Sequence, residues 1–151
     1  MAANTDPIYT LTPNNGFCVP VLVGVASDGS GVISGGTVTM YVAFTAGTNG
    51  SYVREARVRY GSTTGIVATT GTTCIRFYLS TANSGTVTTA TSHPIASFTL
   101  PALTGVLATP TPDFICPLGF MIPTGMYVLC NVGVVAATNQ SWQVTVIGGD
   151  Y

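Results

Sequence analysis

The sequence predicts an all-β protein, an antiparallel β-sandwich of jelly-roll-like build, and three observations carry that prediction. Threonine occurs 25 times in 151 residues, and with Val, Ile, Tyr and Phe it makes a composition suited to pleated surfaces and poor for long helices. No segment repeats its apolar residues with the 3.6-residue period of an amphipathic helix. Short runs of strand character are separated instead by Gly, Pro, Asn and Ser, with no helical segments between them, which favours a sandwich over any βαβ architecture.

In chain order, residues 1–17 are polar, contain Pro7 and Pro13, and read as an extended N-terminal arm, leaving 18–151 as a single β-sandwich domain. A first strand is expected at 18–26. The clearest one is 37–45, where Val38, Met40, Val42 and Phe44 alternate with Thr37, Thr39, Tyr41, Ala43 and Thr45. The loop 46–51 carries Asn49-Gly50 and leads into 52–60, so the pair reads as a β-hairpin. On 52–60 the alternation groups Val53, Glu55, Arg57 and Arg59 on one face and Tyr52, Arg54, Ala56, Val58 and Tyr60 on the other. A weaker run at 65–69 precedes strands at 73–80 and 95–100. Between Pro101 and Pro123 the chain also holds Pro110, Pro112 and Pro117, which predicts an extended crossing between sheets, with a weak strand signal at 115–122. Strands at 127–135 and 141–147 complete the set, the last with Trp142, Val144 and Val146 on one face and Gln143, Thr145 and Ile147 on the other.

Only 9 residues are charged, four Arg, four Asp and one Glu with no Lys, against roughly a quarter of an ordinary soluble domain. The mean hydropathy of +0.49 therefore reflects polar residues that are mostly uncharged. A formal net charge of -1 and a pI near 5.4 exclude the basic footprint of a nucleic-acid binder. So little net charge gives weak colloidal repulsion, which suits a protein inside an assembly. The first residues lack a basic stretch followed by an apolar one, so no secretory signal is expected. The longest apolar stretch, 17–26, is broken by Pro20 and Gly24 and is too short to span a bilayer, so no membrane partner is expected either.

Catalytic chemistry finds little to stand on. His93 is the single histidine and precedes Pro94, with no acid beside it in sequence, and no Gly-x-Ser-x-Gly pattern occurs. Asp28, Asp113 and Asp150 read as turn or terminal acids, not as a glycosidase pair. Cys18, Cys74, Cys116 and Cys130 lie far apart and form no Cys-x-x-Cys pair; buried free thiols are expected, with disulfides or a metal as alternatives. The expectation is a protein without enzymatic activity, cofactor or metal.

Charge placement is more informative. All four arginines fall between residues 54 and 76, while four of the five acids lie outside that window. The plain reading is a solvated face. The sharper one is an inter-subunit contact, because Arg and Tyr are enriched at interface hot spots. The candidate interface residues are Arg54, Glu55, Arg57, Arg59 and Arg76, with Trp142 and the C-terminal Tyr151. For Trp142 a core position and an exposed sugar-stacking platform are the competing readings.

Four segments carry a family resemblance: Arg57-Val58-Arg59-Tyr60, Ile75-Arg76-Phe77-Tyr78, the passage from Pro117-Leu118-Gly119-Phe120 to Pro123-Thr124-Gly125, and the ending from Ser141-Trp142 to Asp150-Tyr151. On these the chain resembles the small all-β capsid cement or decoration proteins of tailed bacteriophages. That resemblance implies a non-enzymatic virion protein, made in the host cytoplasm, that forms a homo-oligomer, often a trimer. It would bind the major capsid protein on the outer face of the shell. A phage tail or receptor-binding module that contacts carbohydrate is the alternative with the same kind of sandwich.

Overall fold

The computed structural model describes residues 12–21, 28–34, 38–62, 68–69, 71–105, 112–134 and 140–151. Every regular element among them is a strand: β1 (Thr12–Val21), β2 (Gly31–Val32), β3 (Tyr41–Thr45), β4 (Ser51–Ser62), β5 (Ala68–Thr69), β6 (Thr73–Ser80), β7 (Thr86–Val87), β8 (Ser92–Leu100), β9 (Thr104–Gly105), β10 (Asp113–Ile122), β11 (Tyr127–Val132) and β12 (Gln140–Asp150). The eight strands of five or more residues make two antiparallel four-stranded sheets, β1-β12-β4-β10 and β3-β11-β6-β8. Counted along the chain among those eight, the first sheet runs first, eighth, third, sixth and the second runs second, seventh, fourth, fifth. That is the double Greek-key order of a jelly roll, so the expected sandwich is the one observed.

The alternation of each strand decides what enters the space between the sheets. Val58, Tyr60, Ile122, Trp142 and Val144 from the first sheet meet Phe44, Ile75, Phe77, Val128 and Val132 from the second in one core. Edge-on ring pairs tie it together: Trp142 lies 5.9 Å from Tyr60 and 6.2 Å from Phe114, and Phe77 lies 6.2 Å from Phe98.

A second, smaller core lies outside the second sheet. Tyr78 and Leu129 point away from the main core and are covered by Met40 and Val87. The two-residue ladder of β2 with β7 holds this cover in place, extended by bonds from the Ile33 amide to the Gly85 carbonyl and from the Met40 amide to the Val32 carbonyl. Under it the Asn131 amide donates to the Tyr78 hydroxyl at 3.2 Å, which satisfies two buried polar groups at once. The second sheet is thus partly roofed by its own chain, whereas among the described residues no element covers the outer face of the first.

Several expectations are corrected. Strands β3 and β4 do not pair as a hairpin; β3 binds β11, and β4 lies between β12 and β10 in the other sheet. Alternation specifies one buried face per strand but not the neighbour, and a short loop spans the ~10 Å between packed sheets as well as the ~5 Å between adjacent strands. The Asn49-Gly50 turn is present, with Gly50 at φ 87° and its amide bonded to the Gly47 carbonyl. The first strand begins at Thr12, not Cys18, pairing Thr12 with Asp150 through Cys18 with Val144. Residues 12–17 of the expected arm therefore belong to the first sheet, because β12 extends through Gly149 and Asp150 and offers them a ladder; residues 1–11 lie outside the described residues, as do 22–26 of the expected first strand. Pro117 lies inside β10, not in a crossing segment. Strands β1, β8 and β10, which hold Pro13, Pro20, Pro94 and Pro117, are sheet edges, where a missing amide hydrogen can face outward.

The face assignment on β4 also changes. Ile147 sits opposite Glu55 but Gly148 sits opposite Val53, so Arg54 is the extra residue of a β-bulge. On the other side β10 shifts register over the same stretch, between Pro117 and Phe120, with Gly119 at φ 65°. A bulge reverses the parity of the strand beyond it. Val53 consequently turns into the core, and Arg54 joins Glu55, Arg57 and Arg59 outside.

Candidate functional site

The outer face of the first sheet is built in rows across three strands. Gln143 of β12, Arg59 of β4 and Asp113 of β10 form one; Thr145, Arg57 and Ile115 the next; Ile147, Glu55 and Pro117 a third; Gly149, Tyr52 and Met121 the last. Because β4 is central in this group, its arginines are flanked on both sides, and cross-strand pairs set their partners. Arg59 Nη2 lies 3.0 Å and Arg57 Nη1 3.5 Å from the same oxygen, Asp113 Oδ2. Arg57 Nε and Arg54 Nη2 each lie 3.1 Å from Glu55 Oε1. The five charges make one continuous ladder, Arg54–Glu55–Arg57–Asp113–Arg59.

Each acid is held below the ordinary carboxylate range by this arrangement. For Glu55 the hydrogen bond from Arg54 is the largest cause, followed by that from Arg57. For Asp113 the bond from Arg59 leads and outweighs the opposing effect of burial. Asp113 in turn raises Arg59 above its usual value. Exposed pairs of this kind add little to stability. Their effect is to fix the guanidinium planes, so that the arginines present a set geometry to whatever meets the face.

On the β12 side of those arginines lies a depression of about 300 Å³ lined by Arg57, Arg59, Gln143 and Thr145. Toward β10 the face becomes apolar, with Ile115, Met121 and Tyr52 exposed. Guanidinium, amide and hydroxyl donors beside exposed Ile, Met and Tyr can bind an anionic group set among apolar ones; Met, Tyr and Arg are also residue types enriched at protein interfaces.

The structure gathers four of the seven expected interface residues, Arg54, Glu55, Arg57 and Arg59, and separates the other three. Arg76 lies on β6 in the second sheet, facing away from the main core between the buried Ile75 and Phe77, so it is not part of the ladder. A tight window in sequence does not survive when consecutive strands alternate between sheets. Trp142 is 1% exposed and belongs to the core, so it is no surface platform. Tyr151 is tied to the loop between β3 and β4: its amide donates to the Gly50 carbonyl and its carbonyl accepts from Asn49 Nδ2, both at 3.2 Å. Beside it the Asp150 carboxylate accepts from Asn14 Nδ2 at 2.7 Å and from the Ser51 hydroxyl at 2.5 Å. Sequence reasoning missed Asp113, Gln143 and Thr145. Alternation places Gln143 and Thr145 on an outer face, but nothing in it brings them, or Asp113, beside Arg57 and Arg59.

Among the described residues no three His, Cys, Asp or Glu side chains come together as metal ligands. His93 is exposed on the edge strand β8, opposite Leu79. Cys74, Cys116 and Cys130 are thiols outside any disulfide, and the side chain of Cys18 lies outside the described residues.

No protein-family model matches the chain, and neither does any curated protein. Among solved structures, it is similar at a TM-score of 0.30 and 14% identity to the Gx strain of infectious bursal disease virus, over 99% of this chain and 36% of that one. For the Gt strain of the same virus the values are 0.30 and 15%, over 99% and 36%. For the VP2 subviral particle of infectious bursal disease virus they are 0.29 and 14%, over 99% and 37%. The chain thus spans little more than a third of the length of these proteins. A likeness at that level assigns neither a function nor partners.

Proposed function

We propose that this protein is a non-enzymatic structural component of a virion, a capsid decoration protein that coats the outer face of a tailed-phage shell. In this reading it is made in the host cytoplasm, assembles as a homo-oligomer with a trimer favoured, and binds the major capsid protein. The observation that carries the reading is where the chain spends its large side chains. Trp142, Phe44, Phe77, Ile75 and Ile122 fill the space between the sheets, which in other jelly rolls can hold a ligand. What is left for function is an outer surface, and a surface-acting sandwich is what a shell-reinforcing protein requires. The sequence resemblance to cement proteins supports the same choice.

The test is co-sedimentation of the purified protein with empty phage shells, together with light scattering across a dilution series. Saturable binding in fixed proportion to the major capsid protein, by a species of constant multimeric mass, is the expected result. A monomer that ignores shells but binds host cells or purified glycans would replace this reading with the tail or receptor-binding one.

A further inference from the structure

Among the described residues the depression beside Arg57 and Arg59 is lined by the two guanidiniums with the neutral Gln143 and Thr145, which can donate hydrogen bonds, and by no acid. The carboxylates that orient those guanidiniums stand elsewhere: Asp113 on β10, across β4 from Gln143 and Thr145, and Glu55 further along β4 itself. Across the ladder three guanidiniums face two carboxylates. One positive charge therefore remains on this face of a chain whose formal net charge is -1. The face is set for a carboxylate, and the geometry of a paired, pre-oriented guanidinium favours one strongly.

Three observations identify the kind of molecule that brings it. Ile115 and Met121, 56% and 64% exposed, stand with Tyr52 on the same face, an apolar margin larger than a single sugar ring needs and usual at protein interfaces. The second sheet is partly roofed by β2 and β7, whereas among the described residues no element covers this face. Among the described residues, moreover, every acidic side chain of the chain is already engaged within it. Asp28 accepts from the Ser30 amide and hydroxyl, Asp150 from Asn14 and Ser51, and Glu55 and Asp113 from the arginines. A second copy thus offers no spare acid from those residues, and on the proposed shell-binding role the carboxylate is one carried by the shell protein.

We infer that the Arg57–Arg59–Gln143–Thr145 depression is the socket for an acidic side chain of a protein partner, with Ile115, Met121 and Tyr52 receiving the apolar residues beside that acid. This rests on the proposed shell-binding role and names the face and the chemistry of the contact.

The test uses a blocked Ala-Ile-Asp-Leu-Ala peptide and its Asn counterpart, followed by amide shifts of the full-length protein, with the same variants carried into shell co-sedimentation. The Asp peptide is expected to shift β4 and β12 signals around Arg57, Arg59, Gln143 and Thr145, weakening with salt, while the Asn peptide does not. Arg57→Gln with Arg59→Gln should weaken both peptide and shell binding about tenfold or more. Gln143→Glu, which places a carboxylate in the socket without touching either arginine, should weaken both likewise. Shell binding that is unchanged in these folded variants overturns the socket while leaving the decoration reading intact. Loss of shell binding in the parent overturns that reading instead, and the peptide pair then decides the socket alone. Galacturonic acid shifting the same signals at lower concentration than the Asp peptide would overturn the choice of a protein partner.

Discussion

The indole of Trp142 is the largest side chain fully inside the sandwich, held edge-on between Tyr60 and Phe114. Trp142→Ala leaves a void that the two rigid sheets cannot close, and an expected loss of about 3–5 kcal/mol follows, measurable by urea denaturation. Cysteine burial gives a second residue-scale prediction. Cys116 is nearly fully buried, and loss of hydration pushes its thiol up to about 11, so it stays protonated and unreactive near neutral pH. Cys130 is buried and Cys74 only half-buried. Brief iodoacetamide treatment of the native protein with mass mapping should therefore modify Cys74 before Cys116 and Cys130, and equal labelling of all three would contradict the burial.

At the scale of elements, β1 passes close over β3 at Gly16. A Cβ added at Gly16 would collide with the Ala43 carbonyl oxygen and the Phe44 Cα, so any larger residue pushes the two edge strands apart. Gly71 has nothing within 4 Å of such an atom. Gly16→Ala should cost roughly 1–3 kcal/mol and Gly71→Ala stay within about 0.5 kcal/mol, compared by thermal unfolding. The bulge at Arg54 shows how an element escapes a sequence reading. Strict alternation from Val53 onward puts Val53 beside Glu55, Arg57 and Arg59, a mixed face. One inserted residue restores a consistent apolar side and delivers four charges to the other. Nothing local to Arg54 marks it as the bulged position; the register of β10 and β12 does.

For the whole molecule, acid is the informative perturbant. Glu55, Asp113 and Asp28 all have their pKa lowered in the folded state, the first two by arginine and the third by Ser30. The unfolded chain thus binds protons more readily, and the contribution of these groups is present above their unfolded values and lost as pH falls through the folded ones. The melting temperature should be level from neutrality to about pH 5 and fall below about pH 4. Arg59→Gln should shallow that fall, as should added salt, because the ladder is exposed and screened. A melting temperature that rises on acidification would contradict the arrangement of the ladder.

The all-β class was determined by the sequence itself, through its Thr, Val, Ile and Tyr content and the absence of helical periodicity. So were most strands and the grouping of their side chains into two faces, because alternation with period two is a local property: Trp142, Val144 and Val146 on one side with Gln143 and Thr145 on the other is read directly from residues 142–146, and the structure decides that the tryptophan side is the buried one. Which strand lies beside which was decided only by the tertiary structure. The jelly-roll order sends β3 and β4 to different sheets, parts Arg76 from the other arginines, and brings Asp113 to Arg59 across 54 residues. Pairing over such separations depends on how both sheets together bury their apolar faces and satisfy their ladders, and no window of the sequence contains that balance.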